Sequence, residues 1–306
     1  MATSSLPLET IVSKNKRDDL VIASIGIFIL VVAMSLLLSV FIDLLHTGFP
    51  RLFDPSFYTN FPSRHPERAG ILSAWVGTSL VMLVTACISI PLGVSAGIYL
   101  EEYAPKNWLT NIIEINVSNL AGVPSIIYGL LALGLFIYGF GLGESILTAG
   151  LVLALLILPV IIVSTRESIR SIPQELREAA YGLGADQWQT VRMYIIPAAR
   201  PGILTGTIVG LARAIGEAAP VITIGALTFI AFLPTPPVQS QFPFINFDWL
   251  SSPFTLMPIQ LFNWLSRPQA EFHVNAATTG VVLIAMTVAM NGIAIYIRYR
   301  LRRNLK

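Results

Sequence analysis

Six stretches of this chain are each long and apolar enough to cross a lipid bilayer, which takes about 20 mostly apolar residues. They run roughly over Leu20–Ile42, Ile71–Tyr99, Ile115–Phe140, Ser145–Thr165, Gly202–Phe232 and Asn275–Arg298. Backbone N–H and C=O groups in hydrocarbon must be satisfied within the segment, so each run is expected to be a helix. Composition agrees: 12% of the 306 residues are charged and mean hydropathy is +0.72, where a soluble domain carries about 25% charged residues. The first run is too long for a signal-peptide core and lacks a small-residue cleavage site, so it is expected to stay as an anchor. The third run is interrupted near its start by Asn119, Gly122 and Pro124.

Lysine and arginine set the expected orientation. Of 19 basic residues, fourteen fall on one side: Lys14, Lys16 and Arg17, Lys106, the five arginines of the loop 166–200, and five from Arg298 to Lys306. Only Arg51, Arg64, Arg68 and Arg267 fall on the other, and Arg213 lies within a run. Both termini (residues 1–19 and 299–306) and the loop 166–200 are therefore expected in the cytoplasm, with outer loops at 43–70 and 233–274 around a membrane domain spanning 20–298. The second outer loop, rich in Pro, Phe and Trp, would either cap a pore mouth or touch an external partner, or fold down at the interface. Cys87, alone of its kind, excludes an internal disulfide and is expected to be a small core residue. His46, His65 and His273 lie in or near loops without ligand spacing.

The loop between the fourth and fifth runs contains "SIPQELREAAYGLGADQWQTVRMYIIPAARPG". Ser171 with Gln174 fits a capping box and Pro173 a first helical turn. Ile172, Leu176, Ala179, Ala180 and Leu183 then recur at helical period. Gly182 and Gly184 bracket the expected end of this helix. Asp186 with Gln189 can cap a second helix with an apolar face of Trp188, Val191 and Ile195, which Pro197 and Pro201 should stop. Two short amphipathic helices joined at Gly184 are expected. Neither is long enough to stand alone in water, so each apolar face needs cover.

This stretch resembles the EAA loop of permease subunits of bacterial ABC importers. The motif reads E-A-A, three residues, G, nine residues, I, one residue, L-P. Glu178, Ala179, Ala180, Gly184 and Pro197 match in register, while Tyr194 and Ile196 keep apolar bulk where Ile and Leu are usual. The resemblance implies a type I ABC importer permease fold, in which this loop docks on a cytoplasmic ATPase and transmits its motion. An amphipathic hairpin resting on lipid is the alternative.

Within the fifth run, Arg213 and Glu217 are four residues apart and share a helix face. If the helix starts near Gly202, Arg213 lies about 16 Å in, near the bilayer midplane, where a charge costs at least about 2.5–3.5 kcal/mol. Gly202, Gly206, Gly210, Ala214 and Ala218 form a small-residue stripe suited to close packing, and Pro220 should bend the helix beyond it. The pair either lines a pathway, with the arginine fork meeting an oxyanion, or only fixes helix register.

"ARAIGEAAP" is similar to the A-R-x-x-G-E-[TA]-A-P pattern of phosphate-importer permeases, and "GVPSIIYGLLALGLF" and "GIYLEEYA" are similar to other segments of that family. The likeness covers about residues 71–300 and points to the A-type (PstA-like) subunit, with the C type as competitor. It implies a homologous permease (PstC-like), two ATPase subunits (PstB-like) and an extracytoplasmic phosphate-binding protein (PstS-like). In such a permease Arg213 is expected to meet phosphate, and Glu217 to orient Arg213 or take the proton that phosphate carries. A permease for sulfate or molybdate, a stand-alone secondary transporter or channel, and a membrane enzyme are the rival readings. "GVSAG" at 93–97 matches a nucleophile elbow formally, but reads as a small-residue packing site inside an apolar helix. "NVS" at Asn116 falls at a span start on the expected cytoplasmic side. No Walker A motif occurs, so ATP chemistry is expected on a separate chain, with no cofactor or metal held here.

Overall fold

A computed structural model describes residues 8–239 and 244–303, with side chains assigned for 19–239 and 244–300. The first part of the expected N-terminal segment (1–7), part of the outer loop (240–243) and the end of the tail (304–306) lie outside the described residues, as do the side chains of Lys14, Lys16, Arg17, Arg302 and Arg303. Among the described residues the architecture is helical throughout, apart from an isolated antiparallel bridge between Val238 and Ile245.

Among the described residues, five helices are long and apolar enough to span a bilayer: α1 (Leu8–Leu52, apolar from Asp19), α3 (Leu72–Ile98, extended by a wide turn to Tyr103), α6 (Ile146–Arg170), α8–α9 (Gln187–Gly216) and α12 (Ala270–Arg303). In place of the third expected span stand two helices, which form a broken span or a re-entrant loop. Helix α4 (Trp108–Leu120) meets α5 (Ser125–Ala132, widening through to Gly139) at a 107° bend. Pro124 sits at the break with extended backbone (φ −55, ψ 134). A proline there disfavours helical geometry in the residue before it and offers no N–H to the preceding turn.

Helix α6 is the central post, with Leu153, Ile157 and Ile161 almost fully buried between α3 and α9. Small residues let the helices close on it. Gly93 faces Ile161 and Gly97 faces Thr165, which makes "GVSAG" a packing site, as read from its apolar surroundings. On the other side Gly202 and Gly206 lie directly against Ser168 and Ser164, so that a Cβ at Gly206 would collide with the serine side chain. Cys87 departs from expectation: it is exposed on the outward face of α3, because buried Val84, Thr85 and Ser89 take the inward positions. Helix α1 packs against α12 near Gly48 and Thr278 and leaves its apolar surface otherwise uncovered by this chain.

At the end of the bundle holding residues 51–72 and 244–276, the long loop folds down. Trp249, Phe254 and Leu256 are buried, and α11 (Met257–Leu265) slots beneath the start of α12. Phe57 of the short helix α2 (Pro55–Thr59) packs on Trp264, which stacks on Phe272 at 6.4 Å. Arg51 ties this cap together by donating to the carbonyls of Pro66, Glu67 and Ala69.

Candidate functional site

The loop between α6 and α9 is a helical hairpin. Its first limb, α7 (Gln174–Gly182), begins after Pro173, which is the N-cap rather than a first-turn residue. The expected Ser171–Gln174 capping box is absent: Ser171 ends α6 instead, its hydroxyl donating to the Ser168 carbonyl at 2.9 Å. Beyond α7, Gly184 takes φ +86 while its N–H bonds Tyr181 O and the Ala185 N–H bonds Ala180 O. That pair of bonds is a Schellman close, and the left-handed residue in it favours glycine. Asp186 and Gln189 then form a reciprocal capping box at 2.7 and 3.0 Å.

The second limb does not stop at Pro197. Helix α8 (Gln187–Thr190) runs through a wide turn at Val191–Ile195 into α9 (Ile196–Gly216). The Ile196 N–H bonds Val191 O, five residues back. A widened turn of this kind resets the register of the ladder, and Pro197 follows it in the first turn of α9, where its missing N–H leaves little unmade. The hairpin's second limb and the fifth span are thus one 30-residue helix.

The expected apolar faces divide in two. Ile172, Ala180, Val191 and Ile195 are buried, and Ile172 and Ile195 join Ile169, Ala199 and Ile203 in a small core. Leu183 is 85% exposed and Trp188 57%, with Leu176, Ala179, Tyr181, Met193 and Tyr194 also exposed. Glu178 stands on the exposed surface and makes no ion pair among the described residues. An apolar surface of this kind, rimmed by charge, marks a site of protein or membrane contact.

Behind the hairpin lies a charge network that motif reasoning passed over. Arg166, 7% exposed, sits between Glu114 at 2.7 Å and Glu101 at 3.4 Å. Arg170 donates to Glu101 at 3.0 and 3.1 Å. Arg177 of α7 pairs with Glu102 at 2.7 Å and donates to the carbonyls of Ile169 and Ile172. Gln187 of α8 donates to the Glu102 carbonyl at 2.6 Å. The adjacent acids of "YLEEY" at a span end, with arginines four apart at 166 and 170, were the available signal; their pairing is a tertiary fact.

Arg213 and Glu217 do pair, with Nε 3.3 Å from Oε1 and side chains 37% and 21% exposed. Their setting differs from the expected one. The helix ends at Gly216, and Glu217 takes extended backbone (φ −82, ψ 118). The pair therefore marks the last turn of a helix rather than the middle of a span reaching Phe232. The short helix α10 (Ala219–Thr223), with Pro220 in its first turn, follows and packs on α5, where Gly129 lets Pro220 and Thr223 approach. Gly206, Gly210 and Ala214 of the small-residue stripe are buried; the helix stops before Ala218. The pair is left partly open on the flank of this packed stripe. Such an opening on a membrane-embedded chain calls for water or a polar partner rather than lipid, because unpaired charge in hydrocarbon is costly. Among the described residues no cluster of three metal-ligating side chains occurs.

Residues 89–306 match the family described as binding-protein-dependent transport system inner membrane component. The chain is 35% identical over 246 residues to the probable ABC transporter permease protein YqgI of Bacillus subtilis, covering 79% of this chain and 77% of that one. It is 31% identical over 236 residues to the phosphate transport system permease protein PstA 1 of Mycobacterium tuberculosis, covering 76% and 73%. Its fold superposes on a chain of the MetNI methionine ABC transporter in an inward-facing conformation with TM-score 0.57, 18% identity, and coverage of 76% of this chain and 95% of that one.

Proposed function

The chain belongs to the binding-protein-dependent transport system inner membrane component family, and from that premise we propose that it is the permease subunit of an ATP-driven importer of inorganic phosphate, forming half of the pathway. The observation that carries this reading is the hairpin: a capped, charge-anchored projection whose outer apolar face its own chain leaves bare. A separate ATPase is the occupant, with Glu178 and Ala179 facing it, Gly184 turning the hairpin, Ala180 seating it from within, and Pro197 standing where the hairpin passes into the fifth span. The charge asymmetry supports a cytoplasmic position for this end and both termini. Relatives named as phosphate permeases at 31–33% identity favour phosphate over other oxyanions.

The assembly comprises this chain, a homologous PstC-like permease, two PstB-like ATPase subunits and an extracytoplasmic PstS-like binding protein. Closure of the ATPases pulls the hairpin; because α8 and α9 are one helix, the pull reaches Arg213 and Glu217 without a flexible linker. Arg213 offers its guanidinium donors to the passing oxyanion. Glu217 holds that fork in place or takes the proton that phosphate carries and sulfate lacks. No step of ATP chemistry falls to this chain.

Uptake of labelled phosphate by proteoliposomes holding the whole complex tests the reading. Uptake should require ATP and resist competition by sulfate and molybdate. Arg213→Ala should abolish it while the complex still assembles, and Glu178→Lys should release or uncouple the ATPase. ATP-independent uptake, or full coupling in both variants, would overturn the proposal.

A further inference from the structure

Two adjacent acids, Glu101 and Glu102, end α3 on the wide turn at Tyr99–Tyr103. Glu101 faces α6 through Arg166 and Arg170. Glu102 faces the hairpin. Its carboxylate accepts from Arg177 on the first limb at 2.7 Å, and its backbone carbonyl accepts from Gln187 on the second limb at 2.6 Å. Both limbs are therefore gripped by one residue. Arg177 in turn donates to the Ile169 and Ile172 carbonyls at the end of α6, so a single guanidinium ties α7 to the ends of α3 and α6.

The Glu102 and Arg177 side chains are 7% and 12% exposed. A desolvated, charge-assisted pair of this geometry is short and directional, and it does not slacken gradually: losing one partner strands the other. The hairpin is held to α9 by covalent continuity, and nothing covalent links it directly to α3. We propose that Glu102, through Arg177, is the positioning residue that makes α3 move with the hairpin, a second mechanical joint alongside the α8–α9 helix. This rests on the reading of the hairpin as an ATPase dock. It adds that the drive is divided, with one branch reaching the fifth span along the backbone and the other reaching the second span across an ion pair.

A residue that only stapled the fold would lower stability and leave the work obtained per ATP unchanged in the molecules still assembled. The joint predicts the opposite pattern. In the complete complex reconstituted with its ATPase, Glu102→Gln keeps side-chain volume and removes the charge. ATP hydrolysis should stay within about twofold of wild type while phosphate moved per ATP falls about tenfold, the span of a typical coupling free energy. Arg177→Lys, which keeps the charge and loses the fork, should fall between the two. Independently of transport, spin labels at the exposed Gln174 and Leu92 in a Cys87→Ser background should hold a constant separation between nucleotide-free and vanadate-trapped complexes, and lose that constancy with Glu102→Gln. An unchanged transport-to-hydrolysis ratio in Glu102→Gln overturns the joint, as does a wild-type label distance that itself varies with nucleotide. A wild-type complex without ATP-dependent uptake overturns the transport reading instead, so the two failures are separable.

Discussion

At the loop end, Phe57, Trp264 and Phe272 are almost wholly buried against Ile71 and Met257, and the main polar tie, Arg51, bonds to backbone carbonyls. At the hairpin end the apolar core is smaller, and Glu101, Glu102, Glu114, Arg166 and Arg177 make the contacts between helices. Apolar burial is non-directional and roughly proportional to area, so it tolerates small shifts. Buried ion pairs depend on geometry and add little net stability relative to an apolar replacement. A chain that needed stability alone had little reason to build the second kind of end. One that must transmit displacement gains from contacts that hold or break but do not creep.

The difference can be broken most forcefully at Trp264. Trp264→Ala should cost about 3–5 kcal/mol, as truncation of large buried aromatics does, and lower the thermal midpoint of the purified chain in detergent. Phosphate moved per ATP should not change in the complexes that survive; a fall there would mean that the loop end also carries drive. A smaller effect is expected from Asp186→Ala, which removes the capping box at the start of α8 for about 1 kcal/mol. It should appear as faster hydrogen exchange in 186–190 with little change in the global midpoint. The smallest belongs to Arg170→Ala. Its side chain is 52% exposed, and exposed pairs contribute about 0–1 kcal/mol. A midpoint within error of wild type is expected, and a large loss would show that the network's exposed rim matters as much as its buried centre.

The exposed surface of the hairpin repeats the contrast within one element. Ile172, Ala180, Val191 and Ile195 were legible as apolar at helical period, and so were Leu176, Leu183 and Trp188. Periodicity could not say that the first group would be covered by α3 and α9 and the second left bare. Pro197 and Pro201 illustrate a related limit. Read locally, a proline ends a helix; here a widened turn places Pro197 in the first turn of α9, and the helix continues through Pro201. Cys87 erred for the same reason: an apolar span gives no strong rotational phase, since every face is apolar.

The amino-acid order by itself settled the membrane class, the break near Pro124, the Gly184 turn and the Asp186 cap, along with the spacing that identifies the family. Each of these depends on backbone conformations or transfer energies that a few neighbouring residues decide. Tertiary structure alone decided that Glu102 would meet Arg177 across 75 positions, that the fifth span would end beside Arg213, and that half the hairpin would remain uncovered. Those outcomes depend on which helix faces pack together, and the energy of a buried charge is set by whatever packing brings beside it.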